Sequence, residues 1–170
     1  MKRDFIFKLR LRKSMKLPQL RKIVINVGVK EAVLNKKEII PIATQLELLG
    51  GNQCKISKSK EAIASFKLKK STAIGCYITL SKLNMLEFLL KFKSLVLSNK
   101  KDFIGISKSN LDGKGNFGLG LSEGSNFEEL SNQYEKFDNF NGMDIIFVTS
   151  ADRDMYGEIL LKKLGIPFVK

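Results

Sequence analysis

The chain of 170 residues has no histidine and no tryptophan, only two cysteines and three prolines. It also has no uncharged apolar run long enough to cross a bilayer, for which about 18 residues are needed. Without histidine the commonest general base and metal ligand is missing, so an enzyme built on this chain would have to work through Asp, Glu, Lys or Cys. Cys54 and Cys76 show no CxxC spacing, and with no histidine to complete a ligand set neither structural zinc nor any other metal or cofactor is expected. The two thiols read as small buried side chains in a reducing compartment rather than as a redox pair. The apolar part of Met1 to Lys16 is too short for a secretory signal, and no membrane span is expected.

What the chain does have is positive charge, unevenly placed. The first 70 residues carry 18 Lys/Arg against 5 Asp/Glu and hold the whole net charge of +13, whereas residues 71–170 carry 12 of each sign. Attraction to a phosphate backbone grows with the number of phosphates neutralised, so a clustered surplus points to nucleic acid. The plainer alternative is a composition drifting towards Lys, Asn and Ile, with the ammonium groups merely solvating a surface.

Length and a 44% hydrophobic content fit one compact domain, which at this size buries about 70% of the surface of its unfolded chain. We expect a basic arm over residues 1–17 and a single domain over 18–170. In the arm, Phe7, Leu9 and Leu11 alternate with Lys8, Arg10 and Arg12, a pattern that suits a short strand with one basic face or a frayed terminus.

Two periods alternate along the rest. Residues 22–29 (KIVINVGV) read as a strand. Asn35 and Glu38 then signal a helix start, with Ile42, Leu46 and Leu49 on one stripe before Gly50-Gly51. Pro41 suggests that the regular helix begins at Pro41 itself, after an irregular turn. Strands at 54–57 and 73–80 flank a basic loop. A helix opened by Asn84 and Glu87 follows, with Leu86, Leu89, Leu90 and Phe92 to Leu95 as its apolar side. Residues 102–120 are rich in glycine and turn formers. A strand at 143–149 precedes a helix capped by Asp152, with Ile159, Leu160 and Leu164 inward and Gly165 at its end. This order implies an α+β fold: a largely antiparallel sheet with helices packed on one face and the other face open.

An open face would let Asn26 and Thr79 meet a ligand, because amides and hydroxyls can bond ribose, phosphate and base edges without adding charge. Each also has an ordinary reading, as a structural amide and a plain strand residue. Gly113, Gly115 and Gly118 spell G-x-G-x-x-G, the pattern of a dinucleotide site, and this motif carries the alternative function of an RNA-modifying or nucleotide-dependent enzyme. The context is wrong for it: a true fingerprint opens a long helix, whereas Gly118-Leu119-Gly120-Leu121 runs on extended. The acidic stretch from Glu123 to Glu135 reads as a solvated helix or a protein-contact surface.

The segments KIVINVGVKEA (22–32), ISKSKEAIASFKLKK (56–70), IGCYITL (74–80), KDFIGIS (101–107), DGKGNFGLG (112–120), DIIFVTSA (144–151) and LLKKLGIPF (160–168) together resemble the bacterial-type large-subunit ribosomal protein number five. The resemblance runs in order over about residues 18–168. It implies a non-catalytic protein that docks 5S rRNA into the central protuberance among its other proteins, approaches P-site tRNA, and bridges to protein number thirteen of the small-subunit head. By position, Asn26 and Thr79 match residues facing 5S rRNA. Asn52 and Gln53 compete for the place of a single RNA-facing amide. The basic loop from Lys58 to Lys70, with Lys60, Lys67 and Lys69, matches the segment that touches rRNA and approaches the tRNA, Lys58 most closely, and Lys55 just before it is expected to bind RNA with them.

Several positions depart from the family pattern. A basic loop position is Glu61. The usual Phe-Lys-Ile-Arg, Gly and Pro appear as Phe66-Lys67-Leu68-Lys69 with Ser71 and Ala73, which replaces guanidinium forks by point charges. Lys100-Lys101-Asp102 stands where an Arg-rich run is usual, the long N-terminal helix is curtailed, and the Phe-Pro-Glu element is not recognisable in residues 126–140. With the Lys and Asn enrichment, these changes imply a mitochondrial ribosome, with a bacterial or plastid ribosome as the alternative.

Overall fold

The computed structural model describes residues 17–98, 107–121, 127, 142–166 and 168. The expectations for the basic arm, for residues 100–102 and for the acidic stretch and residues 126–140 therefore lie outside the described residues, apart from Leu17 and Phe127. Besides short 3₁₀ turns, five strands and three α-helices follow in order among the described residues: β1 (Leu20–Gly28), α1 (Ile39–Gly50), β2 (Lys55–Lys58), β3 (Ala73–Leu80), α2 (Lys82–Ser98), β4 (Phe117–Leu121), β5 (Met143–Thr149) and α3 (Asp154–Lys163). The strands form one sheet in the order β2-β3-β1-β5-β4, and every pairing is antiparallel. This is the expected α+β architecture.

Alternation along each strand sorts the side chains. Ile23, Ile25 and Val27 of β1, Cys76, Ile78 and Leu80 of β3, and Met143, Ile145 and Phe147 of β5 are buried. The helices cover this face with Ile42, Leu46 and Leu49 of α1, Phe88 and Phe92 of α2, and Leu161 of α3, all in the same core cluster. Each such side chain contributes about 1.5–3 kcal/mol on leaving water. Phe92 and Phe117 flank Phe147 with ring centroids 5.4 and 5.8 Å from it, which ties α2 to β5 and β4. The intervening residues point to the uncovered side.

Three helix boundaries differ from the sequence expectation. Asn35 does cap a turn, accepting from Lys37 N at 3.2 Å and donating to Glu38 Oε1 at 2.9 Å, but that turn is a separate 3₁₀ segment over Lys36–Glu38. The α-helix begins at Ile39, so Pro41 is its third residue, where the missing N–H would have had no intrahelical partner anyway. Asn84 does not open α2, which starts at Lys82. The buried stripe of that helix is Met85, Phe88, Leu89 and Phe92, while Leu86 and Leu90 are exposed. Asp152 does not cap α3, whose N-cap is Arg153; Leu160 is buried as expected, but the deepest residue of that helix is Leu161, while Ile159 and Leu164 are half-buried. At α2 the local capping signal gives way to tertiary contacts, since Asn84 donates to Gly51 O and Asn52 Oδ1 instead.

Both thiols are free; Cys76 is buried and Cys54 half-buried. Burial pushes the Cys54 thiol up, and pushes the Cys76 thiol up to about 12.

Candidate nucleic-acid interface

The uncovered face is organised by strand register. Lys55 lies opposite Tyr77, Tyr77 opposite Asn26, Asn26 opposite Asp144, and Asp144 opposite Gly120. One row therefore crosses all five strands: Lys55, Tyr77, Asn26, Asp144, Gly120. A second row, Thr79, Val24, Ile146 and Gly118, lies beside it. Asn26 and Thr79 thus share the open face, away from the helices. Thr79 is exposed and Asn26 half-buried, and neither side chain has a hydrogen-bond partner among the described residues. A side chain at Gly28 or Gly118 would meet nothing within 4 Å, so both flanks of the face are flat enough for a backbone to lie close.

The expected lysines gather at one edge. Lys55 and Lys58 lie on the edge strand β2, and Lys60, Lys67, Lys69 and Lys70 on the loop that joins it to β3; all six are exposed. None is ion-paired among the described residues, so their charge is available to a polyanion. The loop is built rather than slack. The buried Ser59 donates through Oγ to Lys69 O at 2.6 Å and accepts from Thr72 N at 3.1 Å. Further out, Ile63 and Leu68 exchange backbone bonds of 3.0 and 3.1 Å around a four-residue tip. Lys67 and Ser71 hold left-handed backbone, at φ 52° and 65°, a conformation that costs any residue with a side chain roughly 1–2 kcal/mol. At the tip Phe66 is 73% exposed. It borders an apolar groove of about 650 Å³ shared with Val29, Val33, Leu34 and Leu68.

The competition between Asn52 and Gln53 has a structural side. Asn52 donates through Nδ2 to the Thr79 carbonyl at 3.1 Å and accepts from Asn84 Nδ2 at 2.7 Å. Asn84 also donates to the Gly51 carbonyl at 3.2 Å. Asn52 is thus a clasp between the end of α1, strand β3 and α2, whereas Gln53 is exposed and has no side-chain partner among the described residues. Tyr77, Lys22 and Asp144 also belong to the open face and were not singled out from sequence. Extending the alternation through Asn26 and Thr79 along β1 and β3, and applying it to β5, would have found them.

The glycine motif is taken up by structure. Asp112 accepts from Lys114 N and Asn116 N at 2.8 and 3.0 Å, and Asp154 Oδ1 accepts from Gly115 N at 2.7 Å. Thr149 donates through its hydroxyl to Gly115 O at 2.8 Å. Gly118 lies inside β4, not at a helix start. The donors that would cradle a phosphate are thus occupied by this chain's own carboxylates. Among the described residues no group of three or more Cys, Asp or Glu is placed to hold a metal ion, and no helix is long and apolar enough to cross a membrane.

The pattern of the ribosomal protein L5 family matches residues 13–69, and the pattern of that family's C-terminus matches residues 73–168. The chain belongs to the ribosomal protein L5 family. Its relatives include the large ribosomal subunit protein uL5 of Clostridium perfringens, 41% identical over 156 residues that cover 92% of this chain and 86% of the relative. The uL5 of Clostridium beijerinckii is 42% identical with the same coverage. That of Syntrophus aciditrophicus is 41% identical over 154 residues, covering 91% of this chain and 85% of the relative. The uL5 family consists of ribosomal structural proteins, so the chain is a ribosomal protein and not an enzyme, which removes the alternative built on Gly113 to Gly118. These relatives are bacterial; they support a ribosomal location and lend nothing to the mitochondrial expectation.

Proposed function

We propose that this large-subunit ribosomal protein holds 5S rRNA against the open face of its sheet, in the central protuberance. The observation that carries the reading is the row Lys55, Tyr77, Asn26, Asp144 and Gly120. It joins a lysine-bearing edge to an uncharged polar centre at Tyr77 and Asn26, and beyond them to the single carboxylate Asp144 and a glycine flank. Phosphates suit the edge, where point charges attract without selecting. Ribose and base edges suit the centre, where Asn26, Tyr77 and Thr79 set register. The loop from Lys58 to Lys70, with Phe66 and Lys67 at its tip, approaches P-site tRNA, and a further surface bridges to protein number thirteen of the small-subunit head. These last two assignments rest on family resemblance and on the loop's exposure and charge. The mitochondrial reading of the compartment rests only on the Lys and Asn enrichment and the departures from the family pattern set out above, with a bacterial or plastid ribosome as the alternative.

The test is equilibrium binding of the full chain to 5S rRNA and to a scrambled RNA of equal length over a range of salt. Tighter binding to 5S rRNA is expected, with a salt dependence corresponding to on the order of 6–10 phosphate contacts. Equal affinity for both RNAs would remove the specific form of the proposal. Sedimentation of the native protein, with sequencing of the RNA that travels with it, identifies the ribosome and the compartment.

A further inference from the structure

Asp144 is the only carboxylate in any of the five strands, and it projects from the face proposed above to meet RNA. On such a face an acid is out of place, because an unpaired carboxylate repels every nearby phosphate. Nothing in the described residues neutralises it: among them Asp144 has neither an ion pair nor a side-chain hydrogen bond, and it is exposed. Its neighbours leave it clear. On one side a Cβ built on Gly120 would lie 3.5 Å from Asp144 Oδ1, so the carboxylate leans over a residue with no side chain. On the other side its cross-strand partner is Asn26, whose amide is equally unengaged. The surplus of lysine lies across the sheet at the β2 edge, so Asp144 stands where phosphates have least reason to be and base edges most.

We infer that Asp144 is a specificity residue for the RNA, accepting hydrogen bonds from the N–H groups of a guanine while Asn26 donates to the same base. The inference rests on the proposed 5S rRNA reading and adds what that reading lacks, a means of selecting a base. An ionised carboxylate is an acceptor at both oxygens and a carboxamide can donate. Guanine presents adjacent imino and amino donors beside a carbonyl acceptor on its Watson–Crick edge, in the order that a carboxylate next to an amide can satisfy. Cytosine and adenine each offer only an amino group to the carboxylate and leave its second oxygen unpaired, a loss once bound RNA has displaced the water around it. A phosphate offers Asp144 nothing.

The experiment compares the full chain with Asp144→Asn and Asp144→Ala, using 5S rRNA and a scrambled RNA of equal length, at one fixed salt concentration. It is repeated with 5S rRNA carrying sparse inosine in place of guanosine, and the positions where inosine blocks binding are mapped. Both variants should bind 5S rRNA about 10- to 100-fold more weakly, the range expected for loss of a two-bond base contact, while scrambled RNA binds as well or better. Inosine, which lacks the amino group, should interfere at one position with the unaltered protein and lose that effect with Asp144→Ala. A carboxylate that is only a bystander gives the opposite sign: its removal tightens both RNAs alike, and that result overturns the inference. So does an inosine map unchanged by the substitution. If the unaltered protein fails to distinguish 5S rRNA from scrambled RNA, the underlying reading falls; if it discriminates and Asp144→Asn discriminates equally, only the role of Asp144 falls.

Discussion

Gly157 of α3 packs directly on the backbone of Gly115. A Cβ added at Gly157 would lie 2.7 Å from Gly115 Cα and 2.9 Å from its carbonyl carbon. Gly115 itself has φ 79°, so it is glycine both for its conformation and for this approach. The contact seats the first turn of α3 on the loop before β4, and Asp154 fixes it by accepting from Gly115 N.

Gly157→Ala should therefore destabilise the protein by about 1–3 kcal/mol, the usual cost of overpacking a tight contact, because backbone rather than a flexible side chain must move. Urea unfolding followed by circular dichroism measures it. A variant as stable as the parent would show that α3 shifts freely over the loop.

Ser71→Gly should stabilise the protein by about 0.5–1 kcal/mol. Relief of the left-handed strain at roughly 1–2 kcal/mol exceeds the added entropy of an unfolded glycine. Ser71→Ala keeps a Cβ at φ 65° and should give no gain. The melting temperatures of the pair test this.

Lys58→Ala and Asn26→Ala should separate attraction from selection. Loss of Lys58 should weaken cognate and unrelated RNA alike and lower the salt slope by about one. Loss of Asn26 should cost about 1–3 kcal/mol on cognate RNA and leave unrelated RNA unchanged. Equal effects of both substitutions on both RNAs would overturn this division of roles.

Asn84→Ala should remove the bonds that join α2 to Asn52 and Gly51, costing about 1–3 kcal/mol through the unsatisfied partners. It should also weaken RNA binding, although Asn84 lies on the helical side, because Asn52 would no longer be held against Thr79. Hydrogen exchange at Gly51 to Cys54 is the readout, and unchanged protection there would sink the clasp.

Stability should fall in alkali in a way that depends on Cys76. The folded state holds this thiol up to about 12 by burial, against 9.0 ordinarily. Below pH 9 it is protonated in both states and its contribution is complete. As pH rises from 9 towards 12, the unfolded chain gains an ionisation that the folded one resists, so stability is lost. Cys76→Ala should remove this part of the pH dependence in paired unfolding curves, and identical slopes would contradict it.

Legibility varied with how local the signal was. The strand at 73–80 and the glycine stop after Gly50 were readable because period-2 alternation and left-handed caps are written in consecutive residues; Gly51 has φ 65°. The starts of α2 and α3 were misread because Asn84 and Asp152 look like caps locally, while Asn84 is used across the fold by Asn52 and Gly51 and Asp152 makes no cap bond. Of the stripe expected on α2, Leu89 and Phe92 are buried, while Leu86 and Leu90 are exposed and Met85 and Phe88 complete the buried side; apolar residues beyond one stripe do not say which side meets the sheet.

By itself the sequence determined the α+β class, the face on which each strand residue lies, the family, and the concentration of charge in the leading part of the chain. Only the tertiary structure decided that Asn26 stands between Tyr77 and Asp144, and that Asn52 is engaged as a clasp. The reason is that facing follows from the two-residue repeat within a strand, whereas lateral neighbours follow from hydrogen-bond register between distant segments.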